Sequence, residues 1–204
     1  CIRDSAHCDH DFAAARDYAL RMPVTTFQHL SYVDFFLQLA GDVDGATRLL
    51  LDNRDTLGAQ PTVRLWIENR LARLFRFAGQ DAKADEALQN AIDIAATIDN
   101  PGSTALLEFA HTAALRGDAE ETYTLGQNLL ENLPDDAYRY PDFALTTAVW
   151  YVNVGLLDEA LDLVVETSAN YTFEQELILD QMPVFEPLRE NPRFRAMVES
   201  VEVY

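Results

Sequence analysis

Positive charge, cysteine and long apolar runs are all scarce in this sequence, and each scarcity removes a class of function. Its 15 Lys and Arg face 34 Asp and Glu, so the net charge is 15 − 34 = −19 and the pI is near 4.3. A nucleic-acid binder needs a basic footprint to displace the counterions of the phosphates, so no nucleic acid is expected to bind this chain. The same acidity disfavours anionic membrane surfaces, and its plainest meaning is a solvated outer surface. The longest apolar run, Ala148 to Leu157, is ten residues long and contains Asn153 and Gly155. A membrane span needs about 18 or more, so none is expected in this chain.

Catalytic signatures are scarce as well. The sequence has no Gly-rich phosphate loop, no H-E-x-x-H, no G-x-S-x-G and no C-x-x-C. Its 4 histidines include His7 and His10, which with Cys1 and Cys8 could supply zinc ligands, but the spacing matches no standard site. Glu120-Glu121 and Asp135-Asp136 suit a helix start and a loop, and without a nucleophile or metal they indicate no acid–base chemistry. No catalytic residue, cofactor or metal is therefore expected, and an enzyme is the less favoured class.

The 2 cysteines, Cys1 and Cys8, lie close together. They could form a short disulfide in an exported domain, stabilising by about 2–3 kcal/mol. Cys1 could instead carry the lipid of a bacterial lipoprotein, or both could be reduced thiols. The chain opens on Cys1 rather than Met, which leads us to expect a processed form or an excised part of a longer protein. The compartment stays open between bacterial periplasm and cytoplasm.

What the sequence does have is a repeat. Gly41, Gly79, Gly117 and Gly155 are each 38 residues apart. Five residues after each stand Ala46, Ala84, Thr122 and Ala160; seven before stand Asp34, Ala72, Ala110 and Ala148. Self-similarity at such a period signals stacked supersecondary units. Apolar residues at helical spacing flank each glycine, and glycine suits the left-handed position that ends a helix. Thr26 is expected to cap the first full repeat, Pro61 to open the second, Ser103 to cap the third and Pro141 to open the fourth. A helix is expected over 10–22 before them. Another is expected over 173–181 and a last one over 193–201, set among Pro183, Pro187 and Pro192.

The expected fold is all-α: a right-handed α-solenoid of antiparallel helix pairs with C-terminal capping helices. It forms a single domain divided as 1–25, 26–63, 64–101, 102–139, 140–171 and 172–204. The atypical end covers an apolar face that the last repeat would otherwise leave in water.

These residues resemble the tetratricopeptide repeat (TPR) family. Its pattern of a small residue, an aromatic or Leu, the turn Gly and an Ala is carried by Ala72, Phe75, Gly79 and Ala84, and again by Ala148, Tyr151, Gly155 and Ala160. The first and third repeats are looser, with Asp34, Leu37, Gly41 and Ala46, then Ala110, Ala113, Gly117 and Thr122. The family's usual Trp is replaced by Leu30, Glu68, Leu106 and Ala144. The 38-residue period exceeds the family's about 34. Phe185, Pro187, Leu188, Arg189, Pro192, Arg193 and Phe194 are similar to the last segment of TPR modules in bacterial signalling proteins. Those modules follow winged-helix DNA-binding domains with a membrane span, or cyclase or kinase domains.

The resemblance implies that the first helix of each repeat lines a concave groove. Four arginines, Arg64, Arg70, Arg73 and Arg76, cluster on one such helix with Trp66 and Asn69. On this mapping Trp66, Asn69, Arg73 and Arg76 share the groove face, flanked by Phe35, Gln38, Leu107 and His111. Arg forks match carboxylates and Trp supplies stacking area. The implied function is a non-catalytic interaction or sensory scaffold, part of a bacterial signalling or transcription-regulatory protein. Its partner would be a protein or peptide with acidic side chains or a terminal carboxylate, or a second copy in a homodimer. The alternative is a lipid-anchored periplasmic assembly factor. Against a groove role stands the opposite expectation, that the arginines pair with Asp34, Glu68 or Glu108 on neighbouring helices.

Overall fold

The computed structural model describes residues 12–133, 140–168 and 183–201. Those residues form α-helices and short 3-10 segments, with no strand among them. The cysteines, His7, His10, the Asp135-Asp136 loop and the helix expected over 173–181 lie outside the described residues.

Helix α1 (Phe12–Ala19) is followed by helix hairpins. They are α2 (Phe27–Leu39) with α3 (Val43–Asn53), α4 (Pro61–Phe77) with α5 (Asp81–Ala95), α6 (Ser103–Arg116) with α7 (Ala119–Glu131), and α8 (Tyr140–Asn153) with α9 (Leu157–Thr167). The 3-10 turn Pro183–Phe185, α10 (Glu186–Arg189) and α11 (Pro192–Val201) complete the described chain. The chain divides into two compact units, Cys1–Asp99 and Asn100–Tyr204.

One backbone device makes all the hairpins. Gly41, Gly79, Gly117 and Gly155 have φ of 71°, 69°, 74° and 82°. Each glycine N–H donates to the carbonyl three residues back, on Gln38, Arg76, Ala114 and Val152, at 3.0–3.1 Å. The next N–H donates to the carbonyl five back, on Leu37, Phe75, Ala113 and Tyr151, at 2.8–3.1 Å. This double-bonded C-terminal motif satisfies two orphan carbonyls and needs a left-handed residue, which glycine adopts without a Cβ penalty. A Cβ at these four positions would meet open space, so the requirement is conformational rather than steric.

The return helices start at once. Asp42 Oδ1 accepts from Gly45 N at 2.9 Å and Asp118 Oδ1 from Glu121 N at 3.0 Å, while Gln80 and Leu156 make no side-chain cap. Thr26 caps α2 by accepting from His29 N at 3.2 Å, and Pro61 stands at the start of α4. Ser103 does not cap α6: Gly102 takes that position with no side-chain bond, and Ser103 is the first helical residue. Helix α5 ends at Ala95, and just beyond it the Thr97 hydroxyl donates to the Ile94 carbonyl at 2.7 Å.

The repeat's small residues are where helices meet. Ala46, Ala84, Thr122 and Ala160 are all fully buried, and Thr122 turns its hydroxyl back to the Asp118 carbonyl at 2.6 Å. Ala72, Ala110 and Ala148 are fully buried too, and the equivalent Asp34 is only 2% exposed.

In the first unit, α2, α3, α4 and α5 pack in chain order around Leu30, Leu37, Leu50, Leu65 and Leu71. In the second, α8 packs against α6, α7 and α9, with Trp150 and Tyr151 the largest buried side chains. Phe185, Leu188, Phe194 and Met197 join that core, and the Phe185 and Phe194 rings lie 6.3 Å apart. Burying each of these aromatic rings stabilises by about 2 kcal/mol.

Candidate functional site

In the first unit, charge is brought inside at two places along α4. Glu68, midway along the helix, is wholly buried. Arg54 holds it with a bidentate fork, Nε to Oε1 at 2.7 Å and Nη2 to Oε2 at 2.9 Å. Arg64, one turn earlier on α4, adds Nε to Oε1 at 2.7 Å, and Asn90 Nδ2 lies 3.5 Å from Oε2. Arg64 also donates to the Arg54 carbonyl at 2.8 Å and to Asp55 Oδ1 at 3.1 Å. Arg64 thus pairs with Glu68 of its own helix, not with an acid of a neighbouring one, and is occupied with structure.

Further along, α4 faces Asp34 of α2. Gln38, one turn after Asp34, donates from Nε2 to Asp34 Oδ2 at 2.6 Å. The Gln38 carbonyl accepts in turn from Arg73 Nη2. Asp34 Oδ1 is buried and has no hydrogen-bond partner among the described residues, and neither does Arg70 Nε. Burial pushes the Asp34 carboxyl above its usual range; the charges of Arg70 and Arg73 and the Gln38 bond pull it down without offsetting the desolvation.

Trp66 is buried with its ring edge-on to Phe27 of α2, at 5.2 Å and 86°. The Arg70 guanidinium lies over the same ring at 5.2 Å, a cation–π contact. Arg76 is the outermost of the series, 45% exposed and 4.0 Å from Asp85. Phe35 is half-buried with its ring 5.4 Å from Phe36, and Asn69 is buried.

The second unit holds the remaining expected groove residues. Leu107 is half-buried and packs against the core cluster of that unit. His111 is fully buried and stacks on Trp150 at 3.7 Å and 11°. Its Nδ1 lies 3.2 Å from Glu108 Oε2.

No protein-family model matches this chain, and no curated protein does either. Phe35 and Gln38 of α2 and Arg73 and Arg76 of α4 are partly or fully exposed, and Arg73 reaches Gln38; Trp66 and Asn69 are buried. Sequence reasoning did not include Asp34 or Arg70 among the site residues. The signal for Asp34 was present in the period itself, since a carboxylate stands where the other repeats carry Ala72, Ala110 and Ala148. Among the described residues no three His, Cys, Asp or Glu gather as metal ligands, and no helix is long and apolar enough to cross a membrane.

Proposed function

We propose that this chain is a TPR-like helix-repeat module that binds an acidic peptide segment or terminal carboxylate of a protein partner, without catalysing a reaction. The observation that carries this reading is the row of arginines on α4. Arg70, Arg73 and Arg76 follow at steps of three on an otherwise acidic chain, and exposure rises along the row to Arg76. Arg64 is committed to Glu68, so the row divides into a structural end and a recognition end.

Arginine fits this task because its planar fork pairs with carboxylates bidentately. The half-exposed Phe35 of α2 offers apolar surface as well. The hairpin turns and the small buried residues support a repeat stack that presents first helices to a partner. The tail's resemblance to the last segment of bacterial signalling modules supports a reading of the chain as part of a larger signalling or transcription-regulatory protein.

The test is a labelled hexaglutamate peptide with a free C-terminus, titrated against the protein and an Arg73→Glu/Arg76→Glu variant. The variant is expected to keep the helical circular-dichroism spectrum and to bind at least about tenfold more weakly, as for lost interfacial charge pairs. Equal affinity of the two proteins would exclude the arginine row as the binding surface.

A further inference from the structure

Asp34 occupies a position that the repeat fills with alanine. Ala72, Ala110 and Ala148 are its equivalents and all are fully buried. Alanine there satisfies the packing, so nothing about the fold requires a carboxylate. Asp34 nonetheless carries one inside, with Oδ1 lacking any partner among the described residues. A buried acceptor left unsatisfied is a cost to stability. Groups retained at such a cost cluster where function needs them.

What Asp34 does in this structure is orient its neighbour. An ionised carboxylate only accepts hydrogen bonds, whereas the Gln38 side chain has a donating and an accepting end. Asp34 Oδ2 takes the donating end at 2.6 Å. The Gln38 carbonyl is thereby turned toward α4, where Arg73 Nη2 donates to it. Without Asp34 the amide could turn over and set its NH2 against the guanidinium, donor against donor. The groups facing Asp34 are Gln38 on its own helix and Arg70 and Arg73 on α4.

We propose that Asp34 is the positioning residue of the recognition surface, acting through Gln38 to set the place of Arg73. This rests on the peptide-binding reading above and assigns the surface its specificity device. Asp34 does not attract an acidic ligand, because a carboxyl group brings no positive charge. Its contribution is geometric, and that separates it from a purely electrostatic role.

The experiment uses the same hexaglutamate peptide with Asp34→Ala, Asp34→Asn, Gln38→Ala and the Asp34→Ala/Gln38→Ala double variant, each also melted thermally. Asp34→Ala is expected to melt no lower than the wild type, because alanine is the residue of the other repeats and the arginines left behind are partly solvated. Its affinity is expected to fall roughly tenfold, the size of one charge-assisted hydrogen bond. Asp34→Asn keeps a carbonyl for Gln38 and carries no negative charge, so it is expected to bind at least as well as the wild type. Gln38→Ala should match Asp34→Ala, and the double variant should be no weaker than either, because the two act as one chain.

Asp34→Ala binding as tightly as Asp34→Asn would overturn the proposal, as would additive losses in the double variant. An Asp34→Ala protein that melts well below the wild type would also overturn it, since the carboxylate would then be structural. Failure of the wild type to bind the peptide, or unchanged binding by the Arg73→Glu/Arg76→Glu variant, would remove the peptide-binding reading itself. Loss in the arginine variant with none in Asp34→Ala removes only the role of Asp34.

Discussion

Glu68 and Asp34 are both buried carboxylates of the first unit, and α4 treats them in opposite ways. Glu68 receives a bidentate Arg54 fork and a third bond from Arg64, with Asn90 close by. Asp34 receives one bond from the neutral Gln38, and its other oxygen has no partner among the described residues. Arg70 and Arg73 are near enough to act on its charge, yet Arg70 sits over Trp66 and Arg73 reaches Gln38. A buried charge is tolerable when its lone pairs are filled by good geometry, and expensive when they are not. One helix therefore carries a saturated ion cluster that locks α3 to α4 and an unsaturated one that leaves its arginines turned elsewhere. The saturated cluster is structure; the unsaturated one is where a function can be sought.

The largest expected effect comes from moving the unsaturated arrangement to a place without cations. Two periods on from Asp34 lies Ala110, and two periods on from Arg70 and Arg73 lie Thr146 and Val149. Ala110 is fully buried in the apolar core of the second unit. Ala110→Asp should cost about 4 kcal/mol or more, measured by urea unfolding at neutral pH. A loss under about 1 kcal/mol would mean that the position tolerates a carboxylate unaided, and Asp34 would lose its significance.

Next in size is Glu68→Ala. Removing the acid leaves Arg54 and Arg64, each only about a quarter exposed, facing one another across the gap. Breaking one side of a buried pair typically costs about 3–5 kcal/mol, and a urea melt should show a loss toward the lower end here because both arginines reach water. If Glu68→Ala were as harmless as Asp34→Ala is expected to be, the contrast between saturated and unsaturated sites would collapse.

The turns were legible in the sequence because their cause is local. A glycine at each 38-residue step meets a backbone need, a positive φ, that few other residues meet. Thr26 and Pro61 were legible for the same reason, as end effects of single helices. Ser103 misled because Gly102 can itself take the cap position, and a hydroxyl one residue later is already helical. Partner choice among charged groups was less legible. The four arginines of α4 look alike in sequence, yet Arg64 closes on Glu68 and Arg70 covers Trp66. Both are i,i+4 contacts within α4, so the spacing permits them; what the sequence does not show is that Arg54, Asn90 of α5 and Gln38 of α2 come in beside them. The burial of Trp66 follows likewise from Phe27, 39 residues earlier (66 − 27 = 39), meeting it edge-on. Asp34 lies between these cases: its break in the repeat is visible in sequence, and its missing partner is visible only in three dimensions.

The smallest expected effect concerns protons and is the most direct reading of Asp34's environment. Burial raises its carboxyl, and the arginines and Gln38 do not offset that. The folded protein then binds this proton more readily than the unfolded chain does. Lowering the pH toward the ordinary carboxylate range makes Asp34's contribution to stability more favourable; raising it through the folded value removes that benefit. Acid unfolding of the whole protein would hide this among its other carboxylates, so the quantity to follow is the difference between wild type and Asp34→Ala at each pH. Groups unaffected by the substitution, the saturated Glu68 cluster among them, cancel in that difference. On acidification the wild type should gain relative to Asp34→Ala, by at most about 1.4 kcal/mol per pH unit. The opposite slope would mean that Arg70 and Arg73 hold the carboxylate ionised as Arg54 and Arg64 hold Glu68. The two sites would then be one kind of ion cluster, and Asp34 would belong with the structure rather than with recognition.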